Sequence, residues 1–257
     1  VLLLAPSRGL GGGGVSHVTP MCCRWPLVLA VAQVCIALAA DASAPPDVAR
    51  HDVLAVLLAF FDATGGARWL NSTGWGSTAP WCTWHGVSCS SSGELEALLL
   101  GGNQLSGTLP AELAHLSSLR VLDLSVNELS GGIAGEFGRF SGLERLDLSD
   151  NQLSGPVPSE LGQLSGLRAL RLNGNRLSGA VPPELGSLGR LATLELNDNL
   201  LSGPLPAELG QLGGLEGLYA RGNQLSGTMP RELGRLAGLR KLDLYSNSLS
   251  GQVPAEL

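Results

Sequence analysis

The residues most able to do chemistry in this 257-residue chain are four histidines, five cysteines and a glutamate that recurs after proline. Catalysis needs acids, bases or nucleophiles gathered in a protected site. His17, His51, His85 and His115 share no spacing with one another or with an acidic pair. The glutamates follow the pattern Pro-x-Glu at Glu112, Glu160, Glu184, Glu208, Glu232 and Glu256, a row that reads as a solvated surface. Gly9 to Gly14 matches GxGxxG formally, but no helix opening or correctly spaced acidic residue follows, as a dinucleotide site requires. No nucleophile motif, phosphate loop or metal-ligand set remains. The expectation is therefore no catalytic residue, no metal, no cofactor and no enzyme activity.

The cysteines carry a different message. From Met21 the chain has a short basic start, a 14-residue apolar stretch from Leu27 to Ala40, and small residues at Ala40-Asp41-Ala42-Ser43-Ala44. These are the three parts of a secretory signal peptide, with cleavage expected after Ala42 or Ala44. Cys22, Cys23 and Cys35 fall inside it, which leaves Cys82 and Cys89. An oxidising compartment would join that pair, and six intervening residues fit neither a redox CxxC nor a zinc set. Residues 1–20 lie upstream of the expected start and read as leader without a fold. The chain is thus expected to be secreted, or displayed at the cell surface.

Composition narrows the partners. Net charge is −6 and charged residues make up only 15%, so the basic stripe that nucleic acid demands is missing. Apolar content of 44% argues against disorder, and no apolar run is long enough to span a bilayer. Leucine alone supplies 53 residues, against only 4 Phe and 2 Tyr. One globule would normally fill its core with more aromatics.

The explanation is a period. Asn103, Asn127, Asn151, Asn175, Asn199, Asn223 and Asn247 recur every 24 residues without an insertion. Around them runs Leu143-x-x-Leu146-x-Leu148-x-x-Asn151-x-Leu153-Ser154-Gly155, then Val157-Pro158, Leu161-Gly162 and Leu164. Leu-x-Leu has the period of a strand and Leu-x-x-Leu that of a helical turn. One unit cannot bury its leucines, so units must stack into a continuous core. Each asparagine amide offers donors and an acceptor to backbone groups that the turn would otherwise bury unpaired. Seven repeats begin at 95, 119, 143, 167, 191, 215 and 239, the last incomplete at Leu257.

The frame LxxLxLxxNxLSGxxPxxLGxL resembles the plant-specific class of leucine-rich repeat found in receptor ectodomains and secreted inhibitors. The resemblance covers residues 95–257 and implies an α/β solenoid, a right-handed superhelix. Its inner face would be a concave parallel sheet, with a second short strand around Leu-Ser-Gly and 3₁₀ turns on the convex side. Ala134 in place of proline, Phe137 and Phe140 in place of leucines, and Ala220 in place of a strand leucine depart from the frame.

Residues 45–94 have another composition. Four of the five tryptophans cluster there with Cys82 and Cys89, and Val53 to Phe61 reads as a helix with an apolar face. A cap of this kind would cover the leucine edge of the first repeat. Trp81-Cys82-Thr83-Trp84-His85-Gly86-Val87-Ser88-Cys89 resembles the Cys-x-Trp-x-Gly-Val-x-Cys signature of the plant-type amino-terminal cap. The domains expected are thus leader 1–20, signal 21–44, cap 45–94 and repeats 95–257. Asn71-Ser72-Thr73 is the chain's single N-x-S/T glycosylation acceptor.

Binding then falls to the open face of the sheet. Leu99, Asp123, Asp147, Arg171, Glu195, Tyr219 and Asp243 sit between the strand leucines and point outward, with Arg221 and Tyr245 among the residues two positions on. Tyr and Arg are frequent interface anchors, so Tyr219, Arg221, Tyr245, Lys241, Arg171 and Glu195 are the candidate contacts. Asp123 and Asp147 are expected to repel an anionic ligand from the other end. The function expected is recognition of a protein, peptide or glycan on the concave face. The alternative is the incomplete ectodomain of a membrane receptor, with its span and kinase beyond Leu257.

Overall fold

A computed structural model describes residues 48–257 of the chain. The leader over 1–20 and the signal segment over 21–44 lie outside the described residues.

The chain enters through helix α1 (Val48–Ala63), which buries Val56, Leu57 and Phe60. Thr64 ends it by donating its hydroxyl to Phe60 O at 2.6 Å, and Gly65 then turns left-handed at φ 70°. Trp69, Trp75 and Trp84 pack in sequence, the first pair edge-to-face and the second tilted, with ring centroids 4.9 and 5.0 Å apart. Each indole N–H finds a backbone carbonyl, on Thr64, His85 and Ala79 respectively, so these large apolar surfaces are buried without orphaning a donor. A disulfide joins Cys82 to Cys89, their Cα atoms 5.6 Å apart.

Strand β1 (Val87–Cys89) pairs antiparallel with β2 (Leu95–Leu99), and all later pairing is parallel. The inner sheet runs β1, β2, β4 (Val121–Asp123), β6 (Arg145–Asp147), β8 (Ala169–Arg171), β10 (Thr193–Glu195), β12 (Gly217–Tyr219) and β14 (Lys241–Asp243). From β2 onward its register is locked at 24 residues, so Leu98, Leu122, Leu146, Leu170, Leu194 and Leu218 form one row. All six are fully buried. Each contributes about 1.5–3 kcal/mol by burial, which rewards every in-phase repeat equally and penalises a slip.

A second sheet stacks β3 (Ser106–Thr108), β5 (Glu128–Gly131), β7 (Gln152–Pro156), β9 (Arg176–Gly179), β11 (Leu200–Gly203), β13 (Gln224–Thr228) and β15 (Ser248–Ser250). Here partners lie 22 residues apart, as in Ser106 with Glu128 and Ser130 with Gln152. The outer strands therefore step by two residues per repeat relative to the inner ones.

The convex side carries 3₁₀ turns, from Ala111–His115 in the first repeat to Arg231–Arg235 in the sixth. Proline precedes five of the six and sets the extended entry. Ala134 adopts the same geometry, φ −72° and ψ 138°, so its turn enters unchanged without the ring. Phe137 and Phe140 are buried with their rings 5.3 Å apart at a T-shaped angle, in the places where other repeats hold leucine. Ala220 is likewise fully buried. The recurring glycine of Leu-Gly-x-Leu has a steric cause. A Cβ on Gly162, Gly186 or Gly210 would overlap the carbonyl of Glu184, Glu208 or Glu232 in the next turn. The glutamate row thus touches the stack through its backbone, while most of its side chains stand in solvent.

Candidate ligand-binding face

The strand period places every second residue of the inner strands on one face. On it stand three rows: the first strand positions (Arg145, Ala169, Thr193, Gly217, Lys241), the third (Leu99, Asp123, Asp147, Arg171, Glu195, Tyr219, Asp243) and the residues two beyond. What these residues can offer depends on how far they satisfy one another.

Across β4 to β10 the charged groups pair with one another, although Arg145 Nε and Asn173 Oδ1 are buried without a hydrogen-bond partner. Arg145 Nη2 donates to Asp123 Oδ2 at 3.1 Å and to Asp147 Oδ2 at 2.9 Å. Arg171 reaches back to Asp147 Oδ2 at 3.3 Å and forward to Glu195 Oε1 at 2.9 Å. The Ser125 and Ser149 hydroxyls donate to the remaining oxygens of Asp123 and Asp147 at 2.7 and 2.6 Å. Burial opposes ionisation of Asp147, whose side chain is only 4% exposed, yet Ser149, Arg145 and Arg171 hold its pKa below the ordinary 3.8. For Arg171, too, burial works against the charge, and Glu195 and Asp147 overcome it and raise its pKa.

This corrects one expectation. Asp123 and Asp147 form no stretch of unpaired acid, because Arg145 bridges both and Arg171 also reaches Asp147, which leaves the five-residue cluster with a single net negative charge. Arg145 was the residue missed. It has the same strand parity as Asp147 and the opposite charge, a pairing signal present in the sequence. Arg171 and Glu195, expected as ligand contacts, are engaged with each other.

Beyond Glu195 the face opens. Tyr219 is half-buried and its ring lies over Gly217, where a Cβ would collide with it. Tyr245 is 75% exposed and lies two residues beyond the end of β14, whose last residue Asp243 is the register partner of Tyr219. Lys241 is exposed at the start of β14. Arg221 touches Asp198 at 3.5 Å, but both side chains are about half exposed, and such a surface pair binds weakly. Its backbone N–H is fixed by Asn197 Oδ1 at 2.9 Å.

Behind the face runs the asparagine ladder. Asn175 Nδ2 donates to the carbonyls of Leu148, Leu172 and Asn173, at 2.9, 3.1 and 3.2 Å, while its Oδ1 accepts from Leu153 N–H at 2.9 Å. Asn127, Asn151, Asn199, Asn223 and Asn247 repeat the set, each reaching into the preceding repeat. Asn103 instead clasps the cap: its Oδ1 accepts from Asn71 N–H at 2.6 Å and its Nδ2 donates to Asn71 O at 2.9 Å. The residue before each ladder asparagine is left-handed, namely Gly102, Val126, Asp150, Gly174, Asp198, Gly222 or Ser246.

Among the described residues, no group of three His, Cys, Asp or Glu side chains is placed to hold a metal ion. Among them, too, no helix is long and apolar enough to cross a membrane. His85 and His115 sit apart, on the cap and on the first convex turn.

A family profile described as the leucine-rich repeat region matches residues 103–257. Among solved structures, PEPR1 with AtPEP1 is similar over 79% of this chain, at 33% identity and a TM-score of 0.73. The Arabidopsis receptor kinase HAESA, in complex with the peptide hormone IDA and the co-receptor SERK1, is similar over the same share, at 32% identity and a TM-score of 0.73. The BIR3–SERK2 complex from Arabidopsis thaliana is similar at 32% identity and a TM-score of 0.54, covering 79% of this chain and 97% of that one. The chain spans 29% and 35% of the first two neighbours.

Proposed function

The chain belongs to the leucine-rich-repeat family, and from that premise we propose that it is a secreted or cell-surface module that binds a peptide or protein ligand on its concave face. The likeness to HAESA, solved in complex with a peptide hormone, supports ligand recognition by the solenoid. The contact surface we assign is Tyr219, Arg221, Lys241 and Tyr245, with the Arg171–Glu195 pair as its wall. One observation carries this assignment. The charged side chains from Asp123 to Glu195 pair with one another, whereas β12, β14 and the residues just past them hold a half-buried tyrosine, an exposed tyrosine and two exposed cations. Tyr supplies broad contact area at low entropic cost, and Arg a planar fork that suits carboxylates.

Binding needs no conformational change in this reading, because the asparagine ladder and the leucine rows already fix the strands. Specificity then comes from the fixed order of aromatic and cationic groups along β12 and β14. Panning the immobilised protein against a displayed library of random peptides tests the proposal. Enriched sequences should carry acidic or aromatic residues and should protect β12 and β14 from amide exchange. Protection confined to the convex turns would reject the concave site.

A second reading, that the chain is part of a receptor ectodomain, is favoured by the likeness to the receptor kinase HAESA. The transcript beyond the codon for Leu257 tests it. A run of about 20 apolar residues supports a receptor, and a stop codon after a closing cap supports a secreted binder.

A further inference from the structure

One motif remains unused by the recognition site, Asn71-Ser72-Thr73 on the cap. Asn71 is exposed and makes four bonds that divide cleanly between backbone and side chain. Its backbone N–H and C=O are both taken by the Asn103 side chain, at 2.6 and 2.9 Å. Its Oδ1 accepts from Thr73 N–H at 3.0 Å, closing a tight turn around the motif. Its Nδ2 donates one hydrogen to His85 Nδ1 at 3.2 Å across the surface. An amide nitrogen cannot accept, so His85 must be the acceptor here.

A primary amide nitrogen has two hydrogens, and only one is used. Contrast Asn175, whose Nδ2 makes three bonds in a buried setting and has no hydrogen to give up. We propose that Asn71 Nδ2 carries an N-linked oligosaccharide. The bond formed joins Nδ2 to the anomeric carbon of the first sugar. The bond broken is that carbon's link to the pyrophosphate of a lipid-linked oligosaccharide donor. One proton leaves Nδ2 and the lipid pyrophosphate departs, with no oxidation or reduction. The product amide keeps one N–H for His85, its oxygen for Thr73, and the whole backbone grip on Asn103. The modification is therefore compatible with the folded cap, and the glycan projects where the cap meets the first rung of the ladder.

The test expresses the full chain in a eukaryotic host behind that host's own secretion signal, so that entry to the secretory route is assured. Treatment of the secreted protein with peptide N-glycosidase in heavy-oxygen water should shift its mobility and label Asn71 as aspartate. Thr73→Ala should abolish both signals while leaving the backbone clasp on Asn103 intact, and Thr73→Ser should restore them. Secreted, disulfide-bonded protein with an unmodified Asn71 would overturn the proposal. None of these outcomes depends on the concave site.

Discussion

Arg145 and Asp147, two residues apart on β6, are joined by a 2.9 Å ion pair whose carboxylate is almost wholly covered. Arg145→Ala would leave that carboxylate with Arg171 and Ser149 alone. The expected loss is about 1–3 kcal/mol, below the range for a fully buried pair because the guanidinium is itself 41% exposed. Arg120→Ala is the control. Its 3.0 Å pair with Glu144 has both partners in solvent, so it should cost less than about 1 kcal/mol. Denaturant unfolding of the two variants separates the cases.

The same carboxylate sets a pH dependence. The folded pKa of Asp147 is depressed, so its stabilisation is fully present above the ordinary 3.8 and is lost as pH falls through the folded value. Asp147→Asn should remove part of the acid-induced loss of stability below that point. Unfolding curves for both proteins, run from neutral pH downward, should converge in acid.

Ladder position should matter more than ladder chemistry. Asn175 and Asn247 make matching sets of bonds, but Asn175 is buried and Asn247 is only part-buried. Asn175→Leu should destabilise by about 1–3 kcal/mol by stranding backbone groups that water cannot reach. Asn247→Leu should cost less, because water replaces the amide. Equal losses would argue against the ladder as a device for burying backbone.

Steric necessity makes a third contrast, between glycines. Gly186→Ala would drive a Cβ into the Glu208 carbonyl, whereas Gly189→Ala meets nothing within 4 Å. The first should lower stability by about 1–3 kcal/mol and the second should leave it nearly unchanged. Thermal unfolding of the pair reads the difference.

Val126 predicts a gain. It is a β-branched residue held at φ 56°, where the neighbouring repeats place Gly102 and Asp150. Val126→Asn should stabilise by about 1 kcal/mol, since asparagine tolerates the left-handed region that valine resists. A fall in stability would mean that the valine makes a contact worth more than its strain.

These contrasts also show what the sequence could and could not reveal. The 24-residue period made the leucine rows and the asparagine ladder legible, because each depends on residue identity repeated in register, and the cap disulfide was legible because Cys82 and Cys89 are the pair left beyond the signal segment. Pairing across strands was harder to read. Arg145 engages Asp123 in the previous repeat and Asp147 in its own, and Arg221 turns sideways to Asp198. Such choices depend on side-chain reach and on three-way competition for one carboxylate, which no spacing rule ranks. The clasp between Asn71 and Asn103 is hidden for a similar reason. It uses the backbone of one residue and the amide of another, 32 positions apart.

The central claim is that recognition lies on the concave face around β12 and β14. Its most direct test is a binding titration of library-selected peptides against three proteins. These are the unaltered chain, the Tyr219→Ala/Arg221→Ala variant and the convex Glu160→Ala/Glu184→Ala variant. Both variants should fold normally, as checked by circular dichroism and unfolding. Most affinity should vanish in the Tyr219/Arg221 variant and survive in the Glu160/Glu184 variant; undiminished binding by the Tyr219/Arg221 variant would contradict the account.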